Sequence, residues 1–298
     1  MLKRTITVLE RSYLSAKNEQ LVIENQVGGE VSTIPIEDIG YLEIQSTQVS
    51  LTAAVLARLA ANCVAVSFCD ETFTPVALSL PFEGNTLHAE RISLQTQSPL
   101  PNKKRIWQCI VRSKIGNQEL AGRGLGHDVL NLSRYAADVL TNDRTNREAA
   151  AAKVYWSTVL KPFGVGRDAN GGFPNNALNY GYAVVRSAVA RGLVRAGLHP
   201  ALGIHHSNKY NAFALADDMM EPYRPFVDYH VLQYCMQEEP FAGLLPVHKK
   251  HILGVLVMDV HHNGIRRPLL NSVEQLCAQL VPALGGNIEA LDLPKFHV

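Results

Sequence analysis

The chain has 298 residues, 47% hydrophobic and 18% charged, with a formal net charge of +1, the profile of a folded, soluble protein long enough for two domains. No apolar run reaches the roughly 18 residues that would span a bilayer, since Leu51–Ala61 is interrupted by Arg58 and Ile252–Val260 by Asp259. The five cysteines are odd in number and form no CxxC pair, which speaks against a disulfide framework or thiolate zinc site and for a reducing cytoplasm. The start of the chain carries Lys3, Arg4, Thr5, Thr7, Glu10 and Arg11, leaving no apolar segment of a secretory leader.

The first part reads as strands. Arg4–Leu9, Tyr13–Lys17, Gln20–Glu24, Val31–Ile36 and Tyr41–Ile44 are short, rich in Val, Ile, Leu, Thr and Tyr, and separated by turn formers such as Asn18 and Gly28–Gly29. Ser50 is placed to cap a helix over Leu51–Ala61, with Leu51, Val55, Leu56 and Leu59 on one face. Val64–Cys69 and Pro75–Leu80 return to the strand pattern. Pro81 to Asn85 breaks both periodicities and reads as a linker. The expected fold is therefore α+β: a small β domain with one helix, residues 1–83, followed by a larger all-α domain, residues 84–298. Helices are expected over Leu87–Leu94, Asn102–Leu120, Val129–Leu140, Asn146–Leu160, Asn176–Ala196, Lys209–Glu221, Pro225–Gln237, Lys249–Asp259 and Ser272–Leu284, with a glycine-rich loop at Gly164–Gly172. Charge divides between the parts. Residues 1–90 hold five Lys and Arg against eleven Asp and Glu, whereas residues 91–298 hold twenty-three against sixteen. Such a split suits a second part that meets a polyanion, or reflects chance segregation of solvated charge.

Chemistry concentrates in Gly203–Pro225, where His205 and His206 precede a run that ends in Asp218, Met219, Met220 and Glu221. Asp218 and Glu221 share one helical face, and two acids with an imidazole make an open cage for a hard divalent cation. The plainer reading is a solvated acidic face and a surface histidine, and spacing alone does not separate His205 from His206. Glu148 stands three residues after Thr145 as in a capping box, or is a carboxylate that reaches a cation beside the small face Ala149–Ala152. His127-Asp128, His248 with His251, and the glycines of 122–126 are weaker signals. Trp107, Trp156 and the two methionines read as core. Lys103, Lys104, Arg105, Arg112, Lys114, Arg186, Arg191, Arg195, Arg266 and Arg267 are candidate phosphate contacts, each equally at home on a solvated face.

The series Asn176–Tyr182 (NALNYGY), Gly203-Ile204-His205-His206 and LADDMMEPYRP resembles the CRISPR-associated adaptation integrase family, the metal-dependent nucleases that capture spacers in antiviral defence; its form is similar to the type II lineage. The resemblance spans essentially the whole chain, and the 203–225 motif is its most specific part. It implies a metal-dependent DNA endonuclease and integrase, in which the 3′-hydroxyl of a captured fragment attacks a repeat-end phosphodiester. Carried over residue by residue, Glu148, His206 and Glu221 are the catalytic metal ligands for Mg²⁺ or Mn²⁺, with Asp218 a further acid near the metal. Ala149 stands where a glycine often follows the first glutamate, a difference of one methyl. The resemblance also implies double-stranded DNA as substrate, with Lys103, Lys104, Arg105, Arg186 and Arg191 positioning its backbone. Tyr180, Tyr182 or His205 are candidates to hold a strand end. Implied partners are a second copy joined through the β domains, the small second adaptation protein, and the type II effector nuclease. The competing readings are a helical metal phosphohydrolase using His127-Asp128 with His205-His206, and a non-catalytic DNA-binding scaffold.

Overall fold

The computed structural model describes residues 3–71, 75–82, 84–129, 131–206 and 208–297. The first domain is built from two four-stranded sheets. In one, β1 (Arg4–Val8) runs parallel to β5 (Ile39–Ile44), β5 parallel to β7 (Ala65–Cys69), and β7 antiparallel to β8 (Pro75–Ser79). In the other, β2 (Ser12–Lys17), β3 (Gln20–Asn25) and β4 (Val31–Pro35) form an antiparallel meander, and β6 (Ser50–Leu51) adds in parallel to β2. Helix α1 (Ala53–Ala61) starts two residues later than expected. Its cap is Thr52, whose hydroxyl accepts the Val55 N–H at 3.2 Å, and Ser50 is drawn into β6 instead.

Alternation along β5 ties this domain to the next. Leu42 and Ile44 join Leu14, Leu21, Val55 and Leu59 in the core of the β domain, while Tyr41 and Ala65 belong to the core of the helices. The sheet is thus covered on both faces, and every residue of β5 is buried. The boundary expected at Glu83 lies outside the described residues.

The second part holds helices α2 (His88–Gln97), α3 (Leu100–Gly124), α4 (Leu132–Ala137), α5 (Arg147–Val159), α6 (Asn175–Arg195), α7 (Ala214–Met220), α8 (Arg224–Cys235), α9 (Pro246–Leu253) and α10 (Leu269–Leu284). The expected helix over Val129–Leu140 shrinks to α4; Leu130 lies outside the described residues. The domain is helical but not purely so. Between α9 and α10 stands a hairpin of β9 (Asp259–His262) and β10 (Ile265–Pro268), turned by Asn263 and Gly264, both at positive φ. Helix α6 is the axis, buried over most of its length. Added at Gly181, a Cβ would stand 2.6 Å from Val227 Cγ1, so the glycine lets α8 close on α6. No helix is long and apolar enough to cross a membrane among the described residues.

Candidate metal and nucleic-acid site

Three segments deliver the acids and the histidine. Glu148 lies in the first turn of α5. Asn146 precedes that helix in a left-handed conformation without a side-chain cap, and the Asp143 carboxylate accepts the N–H groups of Arg147 and Glu148 at 2.8 and 2.9 Å. The capping box from Thr145 is therefore not formed, and the Glu148 carboxylate is released to point elsewhere. Ala149 is exposed, so its methyl crowds nothing. Glu221 ends α7. Pro222 follows and, lacking an N–H, turns the chain into a short 3₁₀ segment before α8. His206 comes from the loop between α6 and α7.

The loop is shaped by Asp218, which is fully buried. One carboxylate oxygen accepts the N–H groups of Ile204 and His205 at 2.6 and 2.9 Å; the other accepts the His206 N–H at 3.2 Å and faces His206 Nδ1 at 2.5 Å. Gly203 makes this possible, because a Cβ there would overlap the His206 carbonyl and stand 3.1 Å from Asp218 Oδ2. Asp218 is thus an organiser of the histidine loop, with both oxygens engaged. Its bond to Nδ1 leaves Nε2 as the free ring nitrogen of His206 and, with burial opposing it, raises the imidazole's pKa. His205 is distinguished from its neighbour: it stacks flat on Trp107 at 4.2 Å.

Glu148 and Glu221 meet at a lysine. Lys114, midway along α3, places Nζ 2.6 Å from Glu148 Oε1 and 2.5 Å from Glu221 Oε2. Arg224 Nε holds the other Glu221 oxygen at 2.7 Å. Burial acts to raise the pKa of Glu221, but Arg224 and Lys114 outweigh it and bring the carboxyl down to about 2. Burial likewise works against the Lys114 charge, and Glu221 and Glu148 overcome it, raising its pKa. Glu221 Oε2 is buried and, apart from this ion pair with Lys114, has no partner among the described residues. Exposure rises from Glu221 (6%) through Glu148 (25%) to His206 (46%), so the cluster opens to solvent on the Glu148 and His206 side. With Lys114 in place, no three His, Cys, Asp or Glu side chains converge on one point among the described residues. The donor set nonetheless fits a divalent cation. Two carboxylates already share one positive charge, an oxygen of the pair has no partner besides it, and Glu221 also lies close enough to act on the His206 charge.

The basic residues divide. Arg105 is exposed and Lys103 and Lys104 are partly so, along the first turns of α3. Arg186 packs over the Phe213 ring and, with Arg167 and Arg224, lines a pocket of about 260 Å³ beside the acids. Arg167 and Arg224 were not singled out in the sequence; the glycine-rich loop and the LADDMMEPYRP motif carried them. Arg191 corrects the expectation of a phosphate contact. It is 1% exposed, bonded through Nε to the Cys63 carbonyl and through Nη1 to Glu274 at 2.5 Å, and so joins the two domains from inside. Lys114 is removed from the phosphate contacts for the same reason. Tyr180 and Tyr182, expected near a strand end, are buried, with hydroxyls on Glu43 and Asp228.

Residues 6–240 match the family model described as CRISPR associated protein Cas1. The chain is 37% identical over 295 residues to the CRISPR-associated endonuclease Cas1 of Neisseria meningitidis serogroup C (strain 8013), covering 98% of this chain and 96% of that one. Its fold is similar to a casposase bound to integration product (TM-score 0.78, 18% identity, 95% of this chain and 90% of that one). It is also similar to a chain of a Cas6-RT-Cas1–Cas2 complex (TM-score 0.73, 17% identity, 99% of this chain and 36% of that one). Matched over most of its length by the family model and over nearly all of it by a relative above 30% identity, the chain belongs to the Cas1 family.

Proposed function

We propose that this Cas1-family protein is a metal-dependent DNA endonuclease and integrase of CRISPR adaptation, which inserts captured DNA fragments into the repeat array by attack of a 3′-hydroxyl on a phosphodiester. The observation that carries the reading is the convergence of Glu148 and Glu221 on a single cation, next to a histidine whose Nδ1 is held by a buried carboxylate. Glu148, His206 and Glu221 would hold Mg²⁺ or Mn²⁺, ions matched to carboxylate oxygen and imidazole nitrogen. Such an ion, when bound, polarises the phosphoryl oxygen and lowers the pKa of the attacking hydroxyl.

The chain's own residues supply the rest. Asp218 fixes the His206 ring and presents Nε2. Arg224 fixes one oxygen of Glu221 and leaves the other directed at the site. The open side at Glu148 and His206 admits a DNA end, and Lys103, Lys104, Arg105 and Arg186 hold its backbone without reading bases. With water in place of the hydroxyl, the same residues would support hydrolysis. The β domain, residues 1–83, serves as the dimerisation unit, and residues 84–298 carry catalysis and DNA. A Cas2-like second adaptation protein and the type II effector are the partners of this reading; the Cas6-RT-Cas1–Cas2 complex supports the first of them. Its basis for strand transfer is the fold shared with the casposase bound to integration product.

The test is fragment insertion into a repeat substrate with Mn²⁺ and the second adaptation protein. Glu148→Ala, His206→Ala and Glu221→Ala are each expected to abolish insertion while melting cooperatively. Undiminished insertion by any one of them would overturn the assignment.

A further inference from the structure

We propose that Lys114 is the site's internal counter-ion: its ammonium stands between Glu148 and Glu221 where a divalent cation would bind, and holds the acids together until that cation displaces it. The inference rests on the functional reading above and goes further, because it assigns a role to a residue outside the ligand set. The acids come from separate elements, α5 and the turn after α7, and Lys114 from a third. Two carboxylates brought together out of water repel unless a positive charge lies between them. Nζ supplies that charge at 2.6 and 2.5 Å. The lysine side chain is 11% exposed, so water does little to screen the cluster.

Occupancy by the two cations is exclusive. A divalent ion held by both carboxylates would need the space that Nζ fills. Lysine suits displacement: its charge is compact, and its four-carbon stem can carry it aside. Lys114 Nζ is the only partner that Glu221 Oε2 has among the described residues. Arg224 stays on the other Glu221 oxygen, so Lys114 and Arg224 already balance the two acids. A further doubly charged ion is therefore favoured only once Lys114 leaves the two carboxylates.

The test measures Mn²⁺ binding by electron paramagnetic resonance on the full chain without DNA, alongside thermal melting. Lys114→Met is expected to bind Mn²⁺ at least about ten-fold more tightly than wild type, the equivalent of one lost competing ion pair. It is also expected to melt lower without metal and to recover when Mn²⁺ is added. Lys114→Arg, which keeps the charge but is harder to displace, is expected to bind Mn²⁺ no more tightly than wild type. Equal or weaker Mn²⁺ binding by Lys114→Met overturns the counter-ion role alone. Should that variant fail to fold without metal, refolding that requires Mn²⁺ supports the role, and failure to fold with or without Mn²⁺ overturns it. A wild-type chain that binds no Mn²⁺ even with DNA overturns the functional reading and this inference with it.

Discussion

At the acid site, Glu221 is 5% exposed and touches two cations, Lys114 and Arg224. At the joint between the β domain and the helices, Glu43 is fully buried and held by neutral donors: Gln45 Nε2 at 2.6 Å and the Tyr180 hydroxyl at 2.7 Å from both oxygens. The two carboxyls shift in opposite directions. Burial raises the pKa of Glu43, and the hydrogen bonds and the Lys249 charge recover only part of the shift; Glu221 is driven down to about 2 despite burial. Neutral donors solvate a carboxyl without repaying the loss of bulk water, whereas cations in contact do. Burial of an acid therefore does not mark a functional site. An acid kept charged, at the edge of solvent and beside a second acid, is the stronger candidate.

That contrast is broken or sharpened by substitution. Glu221→Gln keeps shape and removes charge, and is expected to cut Mn²⁺-dependent insertion by at least about 100-fold, corresponding to roughly 3 kcal/mol of transition-state stabilisation. Glu43→Gln, the matching change at the joint, is expected to leave insertion unaltered and shift stability by less than about 1 kcal/mol. Equal losses from both in a paired insertion assay would erase the distinction. Asp218→Asn should cost about 10–100-fold in Mn²⁺ affinity, as for other carboxylates that orient a ligating histidine; titration of the purified variant with Mn²⁺ reads this directly. Arg191→Ala tests the joint. It removes a fully buried guanidinium from Glu274 and from the Cys63 carbonyl, with an expected loss of about 3–5 kcal/mol in denaturant unfolding and no change in the salt dependence of DNA binding.

The strands of the β domain were legible because half-buried strands alternate, and the observed ones fall within a residue or two of expectation. The hairpin at 259–268 falls almost wholly in the stretch left unassigned between the helices expected over Lys249–Asp259 and Ser272–Leu284, although Asn263-Gly264 is a strong turn signal. In the expected helix from Lys209, the Asn211 side chain accepts the Phe213 N–H at 2.9 Å, and α7 begins only at Ala214. At the site, spacing could propose Asp218 and Glu221 but not tell them apart. Only the fold shows that one faces the loop backbone and the other faces Lys114. Lys114 lies 34 residues from Glu148, a separation at which no periodicity reports contact. Arg191 was misread because it was counted with its basic neighbours rather than with the apolar run Ala188–Val194 that buries it.

The smallest expected effect concerns a third buried acid, Asp228, one link behind the site. Tyr182 donates its hydroxyl to Asp228 and carries the Arg224 guanidinium 4.7 Å above its ring. Burial pushes the Asp228 carboxyl up to about 7; the Tyr182 hydrogen bond and the Arg224 charge offset only part of this. The folded state therefore holds the Asp228 proton more tightly than the unfolded chain does, and the linked stability is full below pH 4 and lost as pH rises towards 7. Glu221 acts in the opposite sense: with its carboxyl at about 2, its stabilisation is full above the ordinary carboxylate range and is lost only as pH falls from about 4.5 towards 2. Between about pH 4.5 and 7 the Asp228 effect thus stands alone of the two. Asp228→Asn removes the ionisation and keeps an acceptor for Tyr182. The variant is expected to lessen the fall in stability over that window and gain about 1–2 kcal/mol at pH 8, less than the full linkage value because a buried amide carries its own desolvation. Urea unfolding at pH 5 and pH 8 decides it, since a variant that keeps the wild-type pH slope would mean that Asp228 is already solvated and charged.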